Sequence, residues 1–96
     1  MGKEEVLSIL REYKHEHAEQ YGIVELGLFG SLARDDARED SDVDICIQTK
    51  SPDAFALVHI KEDIEARLRR HVDIVRVRER MNDFLKKRIE QECIYV

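Results

Sequence analysis

Gly30-Ser31 is followed eleven positions later by Asp42-Val43-Asp44, and these residue types at this spacing can handle a phosphate chain. An apolar run, Gly27-Leu28-Phe29, ends in a small turn that carries a hydroxyl, Gly30-Ser31-Leu32-Ala33-Arg34. Two carboxylates then stand one residue apart inside a second apolar run, Val43 to Ile47. On a strand Asp42 and Asp44 project to the same face, because side chains alternate with period two. A third acid, Asp73, sits in Val72-Asp73-Ile74-Val75, where an apolar residue would be expected. If the strands neighbour one another, the three carboxylates converge. Each pair of unit charges at about 5 Å repels by roughly 3 kcal/mol at an effective dielectric near 20. Three such pairs rival the roughly 5–15 kcal/mol that stabilises a whole domain. Protonation, a basic neighbour or a cation has to relieve this, and an oxygen-only donor set favours Mg²⁺ or Mn²⁺ over zinc.

Gly30 lets the backbone approach a ligand closely and take a positive φ. Ser31 opens a helical turn whose free N–H groups and dipole attract phosphate, and its hydroxyl can donate to a phosphate oxygen. The chemistry this implies is two-metal nucleotidyl transfer, with two cations about 3.5–4 Å apart clamping a triphosphate and pyrophosphate as leaving group. Asp42 and Asp44 would hold the triphosphate-bound cation and share the second. Asp73 would complete the second position and assist deprotonation of an acceptor hydroxyl. Arg34 would steady the triphosphate or, alternatively, bridge the acidic loop. Plainer readings exist for each residue alone: Asp42 merely beginning a strand, Asp73 pairing with Arg34 or Arg76, Gly30-Ser31 forming an ordinary turn. The combination and its spacing favour the metal-binding reading.

The elements that must position these residues follow from periodicity. Val6, Leu7, Leu10, Tyr13 and His17 recur at helical spacing, with Glu4 and Glu5 favourably placed in the first turn, so a helix is expected from about Lys3 to Gln20, ended by Gly22. Ile23 to Phe29 reads as a strand covered on both faces. Ser31 to about Arg34 is a short helical turn, and Asp35 to Ser41 a charged loop. Val43, Ile45 and Ile47 alternate with Asp42, Asp44 and Cys46, which is strand period in β-favouring residues. Ser51-Pro52-Asp53 reads as a helix start, with Ser51 as cap and the proline first, for a helix to about Arg70. His71 to Val77 is a third strand, and a last helix runs from about Asn82 to Ile94. The expected fold class is α/β (α+β), a small mixed β-sheet covered by helices, in the order α-β-(turn)-β-α-β-α, with strand directions left open.

The chain of 96 residues is expected to form one domain with a thin core. Charged residues make up 39% and apolar ones 43%, and the apolar residues are periodic, which excludes disorder. A net charge of −5 argues against direct nucleic-acid binding, though not against a nucleotide held through a divalent cation. There is no apolar stretch long enough to cross a membrane and no leader-like N-terminus, so no membrane association and a cytoplasmic location are expected. Cys46 and Cys93 lie far apart in apolar-periodic segments and are expected as buried free thiols. His15 and His17 do not share a helix face, and His59 and His71 read as surface or helix-end residues. The basic runs Arg67-Leu68-Arg69-Arg70, Arg76/Arg78/Arg80 and Lys86-Lys87-Arg88 read first as solvated faces and second as contacts to a partner or to substrate phosphates, and Tyr95 as a packing or contact residue.

Gly30-Ser31, Asp42-x-Asp44 and a later-strand Asp73 match the signature of the nucleotidyltransferase superfamily. More closely, Gly30-Ser31-Leu32-Ala33-Arg34 through Ser41-Asp42-Val43-Asp44, with Val72-Asp73-Ile74-Val75, resembles the minimal nucleotidyltransferases (MNT, or MntA-type antitoxins) over nearly the whole chain. The closing Ile89 to Val96 is similar to their usual C-terminal helix. Many relatives carry glycine where Asp35 stands, and aspartate tolerates turn geometry. The resemblance implies a single minimal nucleotidyltransferase domain over residues 1–96 whose nucleotide is ATP and whose cofactor is Mg²⁺ (two ions, with Mn²⁺ possible). It implies catalytic and metal-binding roles for Asp42, Asp44 and Asp73, and nucleotide binding by Gly30, Ser31 and Arg34. It further implies a HEPN-domain RNase toxin as protein substrate and partner in a hetero-oligomer. The antitoxin would transfer AMP to a tyrosine hydroxyl of that toxin. A non-catalytic antitoxin that neutralises its toxin by binding alone is the alternative.

Overall fold

The structure is a computed structural model and describes residues 2–38 and 41–96. Helix α1 spans Lys3–Tyr21 and buries Val6, Leu7, Leu10 and Tyr13 along one stripe. It stops at Gly22, whose φ of 66° lets its N–H turn back onto the Ala18 carbonyl. Strand β1 (Ile23–Phe29) leads through the Gly30-Ser31 turn to β2 (Val43–Thr49), which pairs with it antiparallel. Helix α2 (Ala54–Leu68) then crosses over to β3 (Val72–Arg76), which runs parallel to β2. Parallel neighbours require such a crossover connection. Helix α3 (Asp83–Glu92) and a two-residue strand β4 (Ile94–Tyr95) close the chain. The sheet order is β3-β2-β1-β4, so the sheet is mixed, as expected for the α/β class.

Alternation along the strands divides the interior in two. Leu26, Leu28, Val43, Ile45, Ile47 and Val72 face α1 and α2 and join Leu10, Tyr13, Ile60 and Ile64 in the larger core. Phe29 and Cys46 face the other way and pack with Ile89 of α3, flanked by Val75, Val77 and Leu85. The two helices over the larger core are pinned by a polar clasp. The Tyr13 hydroxyl donates to Asp63 Oδ2 at 2.8 Å, and Arg67 binds Glu16 while lying 5.0 Å from the centre of the Tyr13 ring. Burial, first, and the Asp63 carboxylate, second, push the Tyr13 hydroxyl well above its ordinary value, so it stays a donor.

The structure corrects several expectations. Ile94 is not the end of the last helix. That helix stops at Glu92, and Ile94–Tyr95 form a strand against Gly27 and Leu28. Gly27 makes this possible: a Cβ there would lie 2.6 Å from Cys93 Sγ and 2.8 Å from the Ile94 carbonyl oxygen. Helix α2 starts later than Ser51-Pro52 suggests. Its cap is Asp53, whose carboxylate accepts from the Phe55 and Ala56 N–H groups, each at 3.1 Å. It also ends earlier, because Arg69 takes a left-handed φ of 55°. Strand β1 is not covered on both faces throughout, since Val24 is 42% exposed. The cysteines are not free: Cys46 on β2 is bonded to Cys93 at the end of α3. Two residues of the expected charged loop, 39 and 40, lie outside the described residues.

Candidate active site

Parallel pairing of β2 with β3 sets Asp44 directly beside Asp73. Both point to the sheet face that carries α3, because their neighbours Val43, Ile45, Val72 and Ile74 fill the opposite core. One step outside the ladder, Asp42 and His71 repeat the arrangement. The Val43 N–H donates to the His71 carbonyl at 2.9 Å, which holds these strand ends together. Donor atoms of Asp42, His71 and Asp73 all lie within 4.8 Å of one another. All three residues are exposed. His71 Nδ1 stands 3.7 Å from Asp42 Oδ1 and 3.9 Å from Glu65 Oε2.

Asp44 is less exposed and lies toward the turn. Gly30 has a φ of 79°, and a Cβ there would sit 2.9 Å from Asp44 Cγ and closer still to Oδ2. The absent side chain is therefore the space that the Asp44 carboxylate occupies. Loss of solvation raises the Asp44 pKa above its ordinary value, and the negative charges of Asp73 and Asp42 add to the rise. Arg34 and Arg88 act the other way. The charges of the other two acids therefore bear on Asp44, after its loss of solvation.

The turn after Gly30 spans Ser31 to Asp35 and is closed by three backbone bonds, from the N–H groups of Arg34 to Gly30, Asp35 to Leu32 and Asp36 to Ser31. The N–H groups of Ser31, Leu32 and Ala33, at its opening, have no protein partner among the described residues. Asp35 adopts a φ of 63°, which is why glycine suits this position, and Lys3 Nζ donates to its carboxylate at 2.9 Å. Arg34 contacts two other acids, Asp36 at 3.2 Å and Glu92 of α3 at 3.1 Å, and Arg88 reaches the same Glu92 at 3.6 Å.

Of the residues singled out by sequence, Asp42 and Asp73 share one cluster, Asp44 sits beside it against Gly30, and Ser31 opens the adjoining turn. Arg34 lies close enough to act on Asp44 while its guanidinium is held by Asp36 and Glu92. Sequence reasoning read His71 as a surface or helix-end residue, which it is, without setting it beside Asp42, and read Arg88 within a basic run without setting it near Asp44. His71-x-Asp73 repeats the spacing of Asp42-x-Asp44, and that repetition was the available signal. Carboxylate oxygens at these separations fit a hard divalent cation, and the open backbone at Gly30 and the unpartnered N–H groups fit an anion.

Residues 10–96 match the nucleotidyltransferase domain family, and the chain belongs to it, among its minimal, MntA-type members. It is 37% identical over 94 residues to the protein adenylyltransferase MntA of Thermococcus cleftensis, an alignment covering 97% of this chain and 94% of that protein. Its fold also matches a solved minimal nucleotidyltransferase with a TM-score of 0.78 at 32% identity, covering 98% of this chain and 95% of the other. A more distant likeness, with a TM-score of 0.71 at 16% identity, is to a structure of a tri-AMPylated Shewanella oneidensis HEPN toxin in complex with MNT antitoxin. That alignment covers 97% of this chain and 70% of the other.

Proposed function

We propose that this protein is the antitoxin of a HEPN/MNT pair and works in the cytoplasm as a single minimal nucleotidyltransferase domain. Its reaction is transfer of AMP from ATP to a tyrosine hydroxyl of the HEPN RNase toxin, which inactivates it. The observation that carries this reading is the in-register pair Asp44 and Asp73, with Asp42 on the same face and the Gly30-Ser31 turn against Asp44. Likeness to the named adenylyltransferase and to the antitoxin bound to an AMPylated toxin supports the choice of nucleotide and acceptor.

Asp42, Asp44 and Asp73 are the residues that would hold Mg²⁺ ions, with Mn²⁺ as substitute. When bound, these would offset the triphosphate charge and stabilise the attacking and leaving oxygens. Ser31 and the N–H groups at the opening of its turn bind phosphate oxygens. Arg34 exchanges Glu92 for the triphosphate, which needs only a side-chain rotation on an exposed residue. The tyrosine oxygen forms a bond to the α-phosphorus as the bond from that phosphorus to the β-phosphate oxygen breaks. The phenolic proton passes to Asp73 and on to water, and pyrophosphate departs. The exposure of Asp73 on the edge strand β3 supports this role, since a hydroxyl brought by another protein would meet it there.

The test is to incubate the protein with α-labelled ATP, Mg²⁺ and the HEPN protein encoded beside it. Label on the toxin, at a tyrosine, is the expected result. Absence of label on a partner with an accessible tyrosine would overturn the reading. Asp42→Asn with Asp44→Asn should abolish labelling. If that double variant still binds and fully neutralises the toxin, occlusion rather than transfer is the protective act.

A further inference from the structure

We propose that His71 is a ligand of the cation shared by Asp42 and Asp73, and that its imidazole biases this position toward Mn²⁺ over Mg²⁺. The proposal rests on the metal-centre reading above and adds a nitrogen donor to a set that the acids alone would make all-oxygen.

Three observations carry it. First, His71 and Asp42 stand at matching ends of two parallel strands, as Asp73 and Asp44 do two residues further in, so all four side chains leave the sheet on one face. Second, the donors of Asp42, His71 and Asp73 fall within 4.8 Å of one another. Ligands about 2.1 Å from one octahedral ion lie roughly 3 Å apart when adjacent and about 4.2 Å when opposite, so drawing these three onto one cation closes their separations by up to about 2 Å, which rotation of exposed side chains can supply. Third, among the described residues the His71 side chain makes no hydrogen bond. Its Nδ1 lies 3.7 Å from Asp42 and 3.9 Å from Glu65, beyond hydrogen-bond length in both cases. Glu65 is itself fixed, accepting the Val72 N–H at 2.9 Å.

The consequence is selectivity. Mg²⁺ takes oxygen donors and parts with water reluctantly, whereas imidazole suits the transition metals, and divalent affinity rises from Mn²⁺ along the first row. A carboxylate–imidazole–carboxylate set therefore gains more from Mn²⁺ than from Mg²⁺.

The experiment uses the full chain loaded with Mn²⁺, alone and with ATP, and reads pulsed electron paramagnetic resonance for nitrogen coupled to the ion. Nitrogen coupling should be present, should change isotope signature when the histidines are ¹⁵N-labelled, and should vanish in His71→Gln. Competition titration should show the Mn²⁺-over-Mg²⁺ preference falling about tenfold in that variant, the lower end of the effect of losing a metal-site partner. Mn²⁺ bound without histidine coupling, or an unchanged preference in His71→Gln, overturns the proposal and leaves the metal centre standing. Mn²⁺ affinity unaffected by Asp42→Asn with Asp73→Asn overturns the metal-centre reading itself.

Discussion

Asp44 carries the tension of the site. Its ionised form is disfavoured in the folded chain, first by lost solvation and then by Asp73 and Asp42. A carboxyl whose pKa is raised on folding makes the fold more stable where it is protonated. That advantage is lost as pH rises from the ordinary carboxyl range through the raised value. At neutral pH, with divalent cations removed, Asp44→Asn should therefore melt higher than the natural chain. About 0.5 kcal/mol for a partly exposed group corresponds to roughly 2–4 °C in a domain of this size. The gap should narrow as pH falls toward 4, and Mg²⁺ should raise the melting temperature of the natural chain more than that of the variant, which keeps Asp42 and Asp73. Calorimetry across pH with and without Mg²⁺ checks all three, and a variant that melts lower at pH 7 would refute the account. Gly30→Ala tests the other side of the same contact. The new methyl meets the Asp44 carboxylate and strains a φ of 79°, so a loss of about 1–3 kcal/mol and of nearly all AMP transfer is expected. Denaturant melts and the labelling assay measure the two effects.

Among the elements, the edge strand β4 depends on a single missing side chain. The Ile94 carbonyl and Tyr95 ring press against Gly27, and the Val96 N–H donates to the Leu26 carbonyl at 2.9 Å. Gly27→Ala should destabilise the chain by about 1–3 kcal/mol. It should also speed hydrogen exchange at Val96 and Leu28 more than at α2, a pattern that nuclear magnetic resonance resolves. This strand also shows where the sequence falls silent. Asp42 and Asp44 were legible because the seven-residue β2 repeats its two-residue period often enough to be seen, and Asp73 because it interrupts the apolar run of β3. Ile94–Tyr95 has no room for a period, and its apolar residues continue the α3 stripe, so they read as helix. Strand direction was not written locally either. Only the pairing of Val43 with Val72 makes Asp44 face Asp73 and makes His71, taken for a surface residue, a neighbour of Asp42. The start of α2 was misplaced for a different reason: Ser51 and Asp53 are both good caps, and the carboxylate two residues later won.

For the whole molecule, closure of the chain links the site to the smaller core. Cys46 lies two residues past Asp44 on the same strand face, and its bond to Cys93 spans 47 residues. Cys93 follows Glu92, which anchors Arg34 to the end of α3. A thin apolar layer of Phe29, Cys46 and Ile89, with its partly buried neighbours, and the short β4 after it also hold α3 to the sheet. A bridge closing a loop of that length contributes up to about 4 kcal/mol by restricting the unfolded chain. The oxidised protein should therefore show no reactive thiol until denatured and reduced. Reduction, or Cys46→Ala with Cys93→Ala, should lower the melting temperature by about 10 °C or more, given roughly 4–8 °C per kcal/mol at this size. Because α3 would loosen first, Arg34 should lose its hold on Glu92 before the three-acid face is disturbed. Mn²⁺ binding at Asp42 and Asp73 should then survive mild reduction while triphosphate affinity changes. Paired titrations of Mn²⁺ and ATP on oxidised and reduced protein measure this. A loss of Mn²⁺ binding in step with the bridge would mean that α3 and the sheet face form one unit rather than two.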